Sequence, residues 1–91
     1  MERKEIEKVV KEVIFEKMGE FTGFNHAAEI DNEDGLATDM AMDPFDLLEV
    51  LMDIEEKIGI RISDDVFGDK PVDELTVGIF ADMLYDWFKS K

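Results

Sequence analysis

Between Glu2 and Met18 the apolar residues Ile6, Val9, Val10, Val13, Ile14 and Met18 recur at three- and four-residue spacings, with Lys and Glu between them. That period draws one apolar stripe along an amphipathic helix. Gly19 follows the last periodic position and marks the expected helix end. Residues 20–42 then lose the period, and Gly23, Asn25, Asn32 and Gly35 stand among acids, which is the composition of a long, organised loop. Loops of this length in compact domains are usually tied down or functional. Phe21, Phe24, Ile30, Leu36 and Met40 are the residues that would pin this one to a core.

A second helix is announced by Asp43-Pro44-Phe45-Asp46. Asp at the N-cap takes up a free amide, Pro at the first helical position needs no amide partner, and a carboxylate two residues on favours the positive helix end. Leu47, Leu51, Ile54 and Ile58 form the apolar stripe, and Gly59 stops the helix. Ile60 and Ile62 alternate with Arg61 and Ser63, but the segment is too isolated to pair as a strand and reads as a connector. Ser63–Phe67 fits one short helical turn, closed by Gly68 and Pro71. Thr76 then caps a last helix from Val77 to Lys89, with Val77, Phe80, Ala81, Leu84 and Phe88 at helical spacing. The expected architecture is all-α: a bundle of four helices, three long and one short, with a long first loop, in a single domain over residues 1–91.

Hydrophobic residues make up 45% of the chain, enough for a core despite the charge. The charge narrows the partners: 24 Asp plus Glu against 10 Lys plus Arg give a formal −14, which repels nucleic-acid phosphates and anionic lipid and favours basic proteins. With no cysteine and a single histidine, His26, neither a thiolate site nor a histidine metal cluster can be assembled. Asp31-Asn32-Glu33-Asp34-Gly35 has the look of a calcium loop. Setting Gly35 at the sixth loop position, however, puts Ile30 and Ala41 where the first and last carboxylates belong. No metal site and no catalytic residues are expected, and the chain is not expected to be an enzyme. The start, MERKEIEKVVKEV, is charged where a secretion signal would be apolar. No stretch approaches a membrane span, so a cytoplasmic protein is the expectation.

Residues 30–65, IDNEDGLATDMAMDPFDLLEVLMDIEEKIGIRISDD, resemble acyl carrier proteins, read without a gap. In that family Asp-Leu-Gly-x-Asp-Ser-Leu leads into an acidic helix that ends in Leu-Glu-Glu. Asp39, Asp43, Asp46, Glu49, Met52, Glu55 and Glu56 fall on matching positions, and Leu75-Thr76-Val77 is similar to the approach to the family's last helix. The resemblance covers nearly the whole chain, with residues 20–29 as an insertion. It implies the carrier-protein bundle and an acidic second helix that docks on basic patches of synthase, ligase or transferase partners. The implied docking residues are Asp39, Asp43, Asp46, Glu49, Glu55 and Glu56 for steering, with Phe45, Leu48 and Met52 for apolar contact. The spacing of those three apolar residues fits a core equally well.

The departures bear on function. The serine that the family esterifies to 4'-phosphopantetheine is here Pro44, which has neither a hydroxyl nor an amide proton. Ser63, Ser90 and Thr38 do not stand in for it. Met40-Ala41 replaces the family's Leu-Gly, and Phe45 the Leu after the serine. No cofactor is therefore expected; phosphopantetheine would be carried only if residue 44 is serine in the natural protein or if another attachment site is used. The leading expectation is a non-acylated carrier-like adaptor, monomeric and acting through helix two. The alternatives are a genuine acyl carrier of fatty acid, lipid or polyketide biosynthesis, and an acidic mimic of nucleic acid. Phe21, Phe24, Phe45 and Phe80 are the residues expected to fill the space an acyl chain would need.

Overall fold

Three α-helices carry the computed structural model, which describes residues 2–22, 25–68 and 70–90: α1 (Arg3–Thr22), α2 (Pro44–Ile58) and α3 (Val77–Lys89). The fold is all-helical. Its remaining helical pieces are single 3-10 turns at Ala27–Glu29, Asp64–Phe67 and Val72–Glu74. The short helix expected at 63–67 is thus one 3-10 turn, because Gly68 at φ 58° and then Pro71 leave no room to wind further.

The first helix runs past its expected stop. Gly19 ends a helix only where the backbone turns left-handed, and among the described residues the positive-φ glycines are Gly59 and Gly68. Gly19 stays helical and α1 continues to Thr22. The expected irregular loop 20–42 is accordingly shorter, and it contains the 3-10 turn at 27–29.

α1 packs against both α2 and α3. Its stripe of Ile6, Val10, Val13, Ile14 and Met18 is buried, as are Leu47, Val50, Leu51 and Ile54 of α2 and Val77, Phe80, Ala81 and Leu84 of α3. Val50 joins the expected stripe of α2, whereas Ile58 of α2 and Phe88 of α3 are only partly buried and pack against the core. Phe67 from the 64–67 turn stacks on Phe80 at 5.6 Å between ring centroids. The cleft among Ile6, Val9, Val10, Ile54, Ile58, Leu84 and Phe88, where the three helices meet, has no room for a water molecule.

The long connection is held by side chains and by backbone. Ile30, Leu36, Met40 and Met42 are buried. Leu36 N donates to Leu75 O at 2.9 Å, Val77 N to Asp34 O at 2.9 Å and Gly78 N to Asn32 O at 2.8 Å. The start of α3 therefore supplies its free amides to this loop. A Cβ on Gly78 would lie 3.1 Å from the Asn32 carbonyl oxygen, so the absence of a side chain there allows the loop to lie against the helix. Phe24 and the side chain of Phe21, two of the expected pins, lie outside the described residues.

Candidate functional site

The segment that the sequence singled out is built around the start of α2. Asp43 Oδ1 accepts from Asp46 N at 2.8 Å and Asp46 Oδ2 accepts from Asp43 N at 3.2 Å, a reciprocal capping box with Pro44 at the first helical position. Asp39 is occupied just upstream: its Oδ2 accepts from Gly35 N at 2.6 Å, closing the 35–40 turn. Three of the expected docking carboxylates are thus engaged in holding the backbone, and Asp39 and Asp43 remain solvent-exposed.

Between them Ala41 takes φ 54°, the left-handed region, the one non-glycine residue among those described to do so. This is the position where the resemblance implies glycine. An L-residue there costs about 1–2 kcal/mol, against roughly 0.5–1 kcal/mol for the extra chain entropy of glycine. Ala41→Gly is therefore expected to raise stability by about 0.5–1 kcal/mol. Urea unfolding would read this as a higher midpoint at unchanged slope, and a lowered midpoint would contradict the assigned backbone.

Along α2 the sequence carries two apolar stripes, and the structure separates them. Leu47, Val50, Leu51 and Ile54 face the core. Phe45 is 76% exposed, Met52 62% and Leu48 39%, on the opposite face. The expectation that Phe45 fills the core is overturned: at 3.6 residues per turn it points away from the buried stripe, and Phe45, Leu48 and Met52 share about 60° of arc. Phe80, by contrast, is fully buried as expected.

Acids border the exposed row. Asp46, Glu49, Asp53 and Glu56 follow along one flank, and Glu55 lies on the other, partly buried. The Glu49 flank faces α1, where Lys17 pairs with Glu49. Hydrogen bonding to Glu49 outweighs desolvation and lifts the Lys17 ammonium above its ordinary pKa, helped by the charges of Asp53 and Asp46. Lys57 likewise reaches α1, 2.9 Å from Glu16 and 3.7 Å from Glu12. Hydrogen bonding to Glu16 raises its pKa likewise. Asp53 and Glu56 are exposed.

Two open grooves lie at the ends of this face. Near the start of α2, Pro44, Leu47, Leu48, Phe67, Pro71 and Val72 line a depression of about 320 Å³, with Lys70 and Asp73 also at its edge. Near the end, Met52, Glu55, Glu56, Gly59, Ile60 and Arg61 border one of about 380 Å³. Ile60 is 44% exposed and prolongs the apolar row beyond the helix. Ile60 lies past the left-handed Gly59, so no helical period connects it to Met52, and only the folded groove brings the two together. His26 lies in the exposed loop, where its backbone amide donates to Glu29 Oε1 at 3.1 Å. Ser63 and Ser90 are beyond α2 and at the end of α3. No helix among the described residues is long and apolar enough to cross a membrane. No family model and no solved structure matches the chain.

Proposed function

We propose that this chain is an acyl-carrier-like bundle that carries no prosthetic group and serves as an adaptor, binding synthase-, ligase- or transferase-type proteins through α2. It is not itself an enzyme in this reading. The observation that supports it is the separation of the two stripes on α2: Phe45, Leu48 and Met52 are exposed among acids, although buried places for apolar residues exist on the same helix. An exposed apolar row rimmed by charge is the composition of a docking surface. The acids bring a basic patch into register and speed encounter, while the row provides the desolvated contact.

The capping box and the left-handed residue 41 support the carrier resemblance further, since they give the 39–46 segment the sharp turn into a helix that the family motif implies. Pro44 lies at the exposed mouth of α2 beside the apolar groove, where the family would present its serine. Phosphopantetheine has no attachment atom there.

The test uses a broad-specificity phosphopantetheinyl transferase as a purified basic partner. In a Pro44→Ser background, the further changes Glu49→Lys and Glu56→Lys are expected to lower kcat/KM for modification about tenfold or more at low salt, with the difference shrinking as salt is added. Equal rates with and without the reversals would overturn docking through the acidic flank.

A further inference from the structure

We propose a second interaction surface on the outer side of α1: a cationic groove that takes an acidic protein segment. It lies outside the α2 face and does not depend on docking there. Lys4, Lys8 and Lys11 follow one another at four and then three residues and share about 60° of arc, roughly 120° round from the buried stripe of α1. With Ala27 and Ala28 of the 27–29 turn they line an open depression of about 480 Å³. Two carboxylates also stand on its rim, but both are engaged with cations from elsewhere in the fold. Glu7 pairs with Arg3 at 3.2 Å and accepts from the Asn32 amide, and Glu12 lies 3.7 Å from Lys57 of α2. Among the described residues Lys4, Lys8 and Lys11 have no carboxylate partner, in a chain whose acids outnumber its bases 24 to 10.

The arrangement works against the isolated helix. Lys4 stands in the first turn of α1, where the helix field disfavours a cation, and Lys8 repels it from four residues on. A bound anion relieves both. The spacing selects its form. At 1.5 Å per residue the three lysines rise about 6 Å and then about 4.5 Å along the axis, too spread for one phosphate to meet all of them. Carboxylates on successive turns of a peptide fall at the same interval. Ala27 and Ala28 supply a wall of small side chains from a second element, which leaves room for the peptide's backbone. A long polyanion is disfavoured, because beyond the groove it meets the field of a chain at −14.

Two fluorescent peptides of about 12 residues would decide the matter, one with Glu at three- and four-residue spacing and the other with Gln in the same places. At low salt the Glu peptide is expected to bind about tenfold or more tightly than the Gln peptide, with amide shifts concentrated in residues 4–12 and 27–28. Lys4→Gln, Lys8→Gln and Lys11→Gln combined are expected to lose about tenfold in affinity. Arg61→Gln, Lys70→Gln and Lys89→Gln, which change the net charge equally from elsewhere on the surface, are expected to lose less than about threefold. Unchanged helical circular dichroism would establish that both variants fold. Equal losses in the two variants would reduce the effect to net charge and overturn the groove, as would amide shifts centred on α2. Inorganic phosphate that displaces the peptide beyond the effect of equal ionic strength would assign the groove to a small anion. Self-association that the three lysine changes abolish would assign it to a second copy of the chain. Either result would overturn the acidic segment as its occupant.

Discussion

Phe80→Ala is expected to cost about 3–5 kcal/mol of unfolding free energy. Phe80 is fully buried on α3 and stacks on Phe67 at 5.6 Å, so its removal loses both transfer energy and ring contact. A chain of 91 residues has a total stability of about 5–14 kcal/mol at typical values per residue. One side chain thus accounts for a large share, and chemical denaturation should show a markedly lowered midpoint. Phe45→Ala, which removes the same ring from a position 76% exposed, should stay within about 0.5 kcal/mol of wild type. Similar costs for both would contradict the assignment of one phenylalanine to the core and the other to the surface.

Pro44→Ser is expected to fold and to become a substrate for phosphopantetheinylation. Serine suits the first turn of a helix, where the amide that it restores has no partner requirement within the helix. The capping box of Asp43 and Asp46 does not involve the side chain of residue 44. The loss should be about 0.4–1 kcal/mol, the gain in unfolded-chain entropy when proline is removed. The new hydroxyl would stand at an exposed helix mouth, next to the groove of Leu47, Leu48, Phe67 and Val72. There a transferase can direct it to the β-phosphorus side of the coenzyme A diphosphate, the serine oxygen forming the new phosphoester as the adenosine-bearing phosphate leaves. A folded variant that remains unmodified would mean that the surface around residue 44 no longer suits such an enzyme.

Much of the fold was legible because its signals are local. Asp43, Pro44 and Gly59 bound α2, and Thr76 caps α3 by accepting from Ile79 N at 3.1 Å, each through chemistry confined to a few residues. Gly19 shows where local reading stops. The same residue type ends a helix at φ 73° in Gly59 and continues one in α1, and the choice rests on what packs around it.

The long connection was legible only through its apolar pins. Its hydrogen bonds to Leu75, Val77 and Gly78 join segments about 40 residues apart in the chain, a tertiary pairing without a sequence period. The candidate site was half legible. The nine expected residues include the exposed row, but spacing alone could not say which stripe of α2 faces α1. Val50 and Ile54 settle it by completing the buried face, which leaves Phe45 and Met52 to solvent. Lys17, which engages Glu49 from another helix, and Ile60, which extends the row from outside α2, become part of the site only once the helices are assembled.

The claim that this is a carrier-like scaffold without its cargo is tested most directly by intact mass. Wild type and Pro44→Ser would each be incubated with coenzyme A and a broad-specificity phosphopantetheinyl transferase. The predicted result is an unchanged wild type beside a variant heavier by one phosphopantetheine; an adduct on the wild type would contradict it.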